Sequence, residues 1–309
     1  MKFLHILWNP EQKRLRTPLR LGLFSAPYIS VSLLASFLIN YFHLSFFLGN
    51  NGLYASIELL ISLTVIMLSA RFLDRRRFSD FGFHFTKEWG KDLVFGIGLG
   101  AILMALIFCV EWLAGWIKIE GFLIANTLSS AIPTTTLFRD QFLESILLYV
   151  CVALYEEMTF RGYLQKNLIE WFTNQRIKSP YPALIAIMLS STLFSLRHLG
   201  NPHASVISTS GIFLAGIMLS SGLVLTDELA IPIGLHFSWN FFQGAIFGFP
   251  VSGTTSPANL IAIQQNGPEI VTGGQFGPEA GILGLAAMLT GLISIYLKTR
   301  NRENKDQAQ

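Results

Sequence analysis

Three short stretches in the second half of the chain set ionisable side chains into otherwise apolar sequence. The first reads Tyr155-Glu156-Glu157-Met158-Thr159-Phe160-Arg161-Gly162. Neighbouring carboxylates on a helix point about 100° apart, so Glu156 and Glu157 cannot share one task. Glu157 and Arg161 stand four apart with the acid on the N-terminal side, the favourable order for an ion pair, which leaves Glu156 as the free carboxylate. The second stretch, Phe194-Ser195-Leu196-Arg197-His198, ends an apolar run on a histidine. The third is His236-Phe237-Ser238-Trp239-Asn240, whose spacing of four puts His236 and Asn240 on one helical face. Each stretch alone has a plain reading: a solvated helix end anchored by Arg161, an interfacial histidine, a helix-packing hydrogen bond. Together they supply a base for water and donors for an oxyanion, the parts a peptide hydrolase needs.

The elements that would position them are membrane helices. Of 309 residues, 51% are hydrophobic and 13% charged, and the mean hydropathy is +0.50. A soluble domain carries about a quarter charged residues. Eight runs approach the roughly 20 residues that cross a hydrocarbon core: Leu21–Phe47, Tyr54–Leu73, Leu93–Ile117, Phe142–Arg161, Ala183–Leu199, Val206–Leu225, Leu229–Phe249 and Gly281–Leu297. The expectation is an all-α polytopic bundle, because lipid-exposed open strands leave backbone groups unpaired. The whole of 1–309 reads as one membrane domain, with N-terminal spans over 21–117, a motif-bearing core at 142–249 and a C-terminal span at 281–297.

Basic residues fall in alternate connections. Lys13, Arg14, Arg16 and Arg20 precede the first run, and Arg71, Arg75, Arg76, Arg77, Lys87 and Lys91 follow the second. Arg161, Lys166, Arg176 and Lys178 follow the fourth, and Lys298, Arg300, Arg302 and Lys305 follow the last, whereas His43–Leu53 and Val251–Ala280 have none. The positive-inside rule then expects a multi-pass cell-membrane protein with both termini in the cytoplasm. The net charge of +3 is therefore a topology signal, not one of nucleic-acid binding. The first run reads as an uncleaved span. Asn126–Asp140 and Val251–Gly277 read as outer loops, the latter extended or re-entrant. Tyr163–Trp171 suits a helix at the cytoplasmic interface. Glu58, Glu111 and Glu144 lie near enough to span ends to reach headgroups. Cys109 and Cys151 read as buried free thiols.

The ordered set Glu-Glu-x-x-x-Arg, Phe-x-x-x-His and His-x-x-x-Asn over Glu156 to Asn240, with Ile231-Pro232-Ile233 before it, resembles the CAAX protease and bacteriocin-processing (Abi) family of intramembrane endopeptidases. The likeness covers roughly Leu143 to Phe249. It implies Glu156 as the base that activates water, with His198 sharing that task. It implies Glu157 and Arg161 as a supporting ion pair, His236 and Asn240 as oxyanion donors, and Phe194 packed beside His198. The family has been described both as glutamate and as metalloproteases. A zinc form would draw ligands from Glu156, His198 and His236, but no helix-borne His-Glu-x-x-His is present, and Asn240 beside His236 suits an oxyanion donor better than a ligand shell. The expected partners are the lipid bilayer and a peptide or protein substrate. Two other functions compete: a non-cutting immunity or scaffold protein on the same fold, and a proton-coupled transporter, which would favour paired halves that the sequence lacks.

One feature conflicts with the simple topology. Glu156 and His236 would lie near the cytoplasmic side, and His198 about 24 Å into the fifth span. Convergence requires the fourth helix to continue past Arg161, or the Phe172–Tyr181 link to dip back into the membrane.

Overall fold

The computed structural model describes residues 7–10, 12–42, 51–126 and 134–307. The predicted end of the first span beyond Phe42, most of the His43–Leu53 connection and residues 127–133 of the Asn126–Asp140 loop lie outside them. The described chain is a helix bundle with two small antiparallel pairs. After the two-residue strands β1 (Trp8–Asn9) and β2 (Arg14–Leu15) come α1 (Thr17–Tyr41), α2 (Asn51–Ser69) and α3 (Lys87–Leu113). Next are β3 (Ile117–Ala125), α4 (Thr134–Glu156), α5 (Lys166–Asn174), α6 (Tyr181–Arg197), α7 (Val206–Thr226) and α8 (Ala230–Phe241). Strand β4 (Ala258–Gln265), the single turn α9 (Glu269–Thr272) and α10 (Ile282–Gln307) complete it.

Local chemistry sets several boundaries. Thr86 caps α3 by accepting from the Trp89 amide, with Glu88 in the first turn, and Gly115 at φ +72° ends the approach to β3. Ser205 and Ser208 form a reciprocal cap at the start of α7. The expected third span reached Ile117, but that residue instead opens β3, which pairs with β4 from Ile117↔Gln265 to Ala125↔Ala258. The expected outer loop over Val251–Gly277 is thus partly strand. Pairing satisfies backbone groups that a free loop would leave to water.

Among the described residues, six helices are long and apolar enough to cross a membrane, by length and composition. They lie over Thr17–Ile39, Asn51–Asp74, Lys87–Leu113, Tyr181–Gly200, Val206–Thr226 and Ile282–Arg302. The expected fourth and seventh spans do not meet that standard. The fourth carries Glu144, Glu156, Glu157 and Arg161, and α8 is only 12 residues before a π-helical turn at Phe242–Ile246. These are the two helices that bear the Glu-Glu and His/Asn motifs, and α8 is buried along almost its whole length. Large apolar side chains on the other helices, such as Leu33, Leu60, Val94, Leu106 and Ile293, face outward. Hydrocarbon surroundings account for that pattern.

Lipid gives helices little hydrophobic reason to associate, so close approach and shape complementarity hold the interior together. Leu103, Met104 and Ile107 of α3 pack with Met218 and Leu219 of α7, Leu235 and Trp239 of α8, and Met288 of α10. The most extensive helix–helix contact is between α3 and α8. A Cβ on Gly96 would stand 2.6 Å from the Ile231 carbonyl, one on Gly100 2.8 Å from that of Leu235, and one on Gly234 2.4 Å from that of Leu93.

Two expectations for single residues change. Glu111 does not reach the headgroup region; it is fully buried, and Gln265 of β4 donates to it at 2.6 Å. Cys151 is buried as expected, but Cys109 is exposed on the outside of α3, and both are free thiols.

Candidate active site

The helix bearing Glu156 does not stop at Arg161. It passes through a π-helical stretch, Glu157–Gln165, directly into α5 and ends at Asn174. This settles the depth conflict. From Asn174 back to Glu156 the chain rises about 27 Å, and from Tyr181 forward to His198 about 25 Å, so both residues reach the same level. The segment expected at the interface over Tyr163–Trp171 is instead the continuation of α4, with Tyr163, Asn167 and Leu168 buried.

Glu156 and Glu157 diverge as their adjacency requires. Glu157 is fully buried, and its Oε1 takes Arg161 Nη1 at 3.0 Å and His236 Nδ1 at 2.7 Å. Arg161 is also fully buried, with its guanidinium 4.1 Å from the centre of the Phe194 ring. Glu156, 3% exposed, turns to the other side. Its Oε1 lies 3.5 Å from Arg197 Nη1 and its Oε2 3.8 Å from His236 Nε2. That Oε2 is buried and has no hydrogen-bond partner among the described residues. The two carboxylates and two guanidiniums balance in formal charge, which suits a site sunk in a low dielectric.

Hydrogen bonding assigns the imidazole protons. The Phe194 carbonyl can only accept, so His198 Nδ1, 2.8 Å away, carries the proton and Nε2 is the basic nitrogen. His236 likewise gives its Nδ1 proton to Glu157, and its Nε2 faces Glu156. Phe194 stands edge-on to both rings, at 4.8 Å from His198 and 6.2 Å from His236.

Glu156, His198, His236 and Asn240 line one cavity of ≈ 210 Å³. Its apolar wall comes from Leu148, Val152, Ile212, Met218, Leu219 and Trp239. The structure therefore gathers all four residues expected to be catalytic, with Glu157, Arg161 and Phe194 directly behind them. It adds Tyr155, Arg197, Asn201, Ser252 and Glu279, which the motif reading passed over. Arg197 was visible beside His198, but its type gave no cue to its direction. Glu279 has no sequence signal at all. It is brought in by the turn before α10, where Gln243 Nε2 donates to it at 2.8 Å and the Ser252 amide at 3.3 Å. Burial pushes its carboxyl up to about 7.

Among the described residues, no group of three or more His, Cys, Asp or Glu side chains is disposed to hold a metal ion. No curated protein and no solved structure matches the chain. Residues 138–242, about a third of the chain, match the family model described as type II CAAX prenyl endopeptidase Rce1-like. Every motif residue from Glu156 to Asn240 falls within that match. The match agrees with the resemblance carried by the motifs: residues 138–242, from within α4 to the end of α8, carry an Rce1-like domain.

Proposed function

We propose that the chain is an intramembrane endopeptidase in which Glu156 activates the attacking water. The observation that carries this reading is the Glu156 Oε2, buried, unpartnered among the described residues and 3.8 Å from His236 Nε2 on the wall of a cavity. A water held between these atoms loses a proton to Glu156 as its oxygen attacks the peptide carbonyl carbon. The developing oxyanion is met by the Asn240 amide and by His236, whose protonated form is stabilised through Nδ1 by Glu157. Collapse of the tetrahedral intermediate breaks the C–N bond, and the proton goes to the leaving amine from Glu156 or through His198 Nε2.

Several features support a metal-free route over the zinc form. His236 directs one ring nitrogen at Glu157, and the donors on α4, α6 and α8 are not disposed as a three-ligand set. A chelator is accordingly expected to leave the rate of the purified full-length protein unchanged; a loss restored by Zn²⁺ would reinstate the metal.

The deciding experiment is Glu156→Gln in the full chain, assayed in lipid nanodiscs against a fluorogenic peptide library. The amide keeps the shape and cannot take a proton, so kcat should fall by about 10²–10⁴. Full activity in a correctly inserted variant would remove Glu156 as the base.

A further inference from the structure

We propose that Arg197 is a specificity-determining residue, which binds a carboxylate of the peptide substrate and in doing so lets go of Glu156. This rests on the endopeptidase reading of the cavity, and it deepens that reading by assigning a chemical feature to the substrate.

The two guanidiniums of the site have unlike surroundings. Arg161 is fully buried, gives Nη1 to Glu157 at 3.0 Å and stands against the Phe194 ring. It is not among the residues that line the cavity. Arg197 does line it, with 38% of its side chain exposed beside a Glu156 that is nearly covered. Among the described residues, the side chain that accepts from Arg197 is Glu156, through Oε1 at 3.5 Å. That is long for a charge-assisted bond, which closes to about 2.7–2.9 Å when both groups are free to settle.

A guanidinium carries five N–H donors in a planar fork, so most of those on Arg197 are uncommitted. Its central carbon lies 5.6 Å from the centre of the Tyr155 ring, an attraction that steadies the group and uses no donor. An open fork backed by an aromatic ring is suited to a two-point grip on a carboxylate. Asn201 lines the same cavity; its Nδ2 gives one hydrogen to the Ser252 carbonyl at 2.9 Å and has another to give.

The contact with Glu156 opposes the task of Glu156. A positive charge this close favours the bare carboxylate and resists its taking a proton from water. An anion in the fork of Arg197 lifts that resistance, because the guanidinium then has another counter-charge and Oε1 is released. A peptide bearing an acid therefore readies the base as it binds, and a peptide without one leaves Glu156 held. The anion would sit about 7–10 Å from the water on Oε2, the span of two to three extended residues. It is either an Asp or Glu side chain near the cut bond or the free chain end. The apolar wall of Leu148, Val152, Ile212 and Met218 suits nonpolar residues around it.

Three matched fluorogenic libraries of apolar peptides test this on full-length protein in lipid nanodiscs. One has a free C-terminus, one a C-terminal amide with a single Glu, and one a C-terminal amide with no acid. Wild-type protein should cut one or both acidic sets about 10–100-fold faster in kcat/KM than the neutral set. Which acidic set is favoured tells the chain end from the side chain. In Arg197→Gln the rates should converge, the acidic sets falling and the neutral set rising, while Arg197→Lys keeps part of the preference. No preference in wild type, or an equal loss on all three sets in Arg197→Gln, overturns the proposal. Binding is read separately, by affinity selection of the mixed libraries on Glu156→Gln protein with mass spectrometry of what is retained. Acidic members should be enriched, and the enrichment should vanish when Arg197→Gln is added; equal retention, or none, overturns the proposal. Enrichment without any cleavage by wild type refutes the peptidase reading alone.

Discussion

The pair Glu157–Arg161 carries a role that its motif position does not reveal. Both groups are fully buried, and Glu157 is shared between Arg161 and His236, so the pair sets the proton position on the imidazole that faces Glu156. Removing one member of a buried pair leaves an uncompensated charge at about 3–5 kcal/mol, so Arg161→Ala should lower the apparent melting temperature steeply as well as abolish cleavage. The double variant Glu157→Gln with Arg161→Met should recover much of the thermal stability and none of the activity, because His236 then lacks its carboxylate. Recovery of both in a peptide assay would assign the pair to folding alone. Glu279 gives a prediction in pH. Its carboxyl is held at about 7 against an ordinary value of 4.5, because burial favours the neutral form. The fold is therefore stabilised fully below the ordinary value, and the stabilisation, at most about 3 kcal/mol, fades as pH climbs through 7. Wild-type protein should melt higher at pH 5 than at pH 8, and Glu279→Gln should flatten that difference. An unchanged slope in the variant would place the titration elsewhere.

At the level of elements, two devices bring the motifs together. The first is the contact between α3 and α8, where Gly96, Gly100 and Gly234 let backbone meet backbone. Gly96→Leu must push α8 away and take His236 and Asn240 with it. Activity should fall at least as far as in Glu156→Gln, although Gly96 touches none of the reacting groups. Measured kcat close to wild type in a folded Gly96→Leu protein would show that α8 tolerates displacement. The second device is the unbroken path from α4 through Glu157–Gln165 into α5, which raises Glu156 to the level of His198. Here the sequence was legible in part. The spacings of Glu157 with Arg161 and of His236 with Asn240 state which side chains share a face, because helical periodicity is a local property. The length of the fourth helix was hidden: Arg161 looks like a cytoplasmic anchor, and nothing local shows that it is fully buried with its guanidinium over the Phe194 ring of α6. Strand β3 was hidden for a similar reason, since Ile117 and Ile119 fit the end of an apolar helix until β4 supplies their partners.

For the whole molecule, hydropathy reported the bundle faithfully, and among the described residues six of the eight expected spans are long and apolar enough to cross a membrane; the fourth falls short through its charged side chains and the seventh through the shortness of α8. Hydropathy does not show Arg197 and Glu279, which long-range packing alone brings to the cavity. The wide-turned stretch at Glu157–Gln165 has a consequence for chains of slightly different length. Such turns hold a residue more than tight winding accommodates. Deleting one residue between Met158 and Gln165 would let the helix tighten without a break, yet swing everything beyond it by about 100°. Asn167 and Glu170 would turn away from Arg20 and Arg14, to which they are now bonded. A homologue shorter by a single position there must either rebuild its anchorage to the first helix or abandon it, so length in this stretch, more than residue identity, should track how the N-terminal segment is fastened.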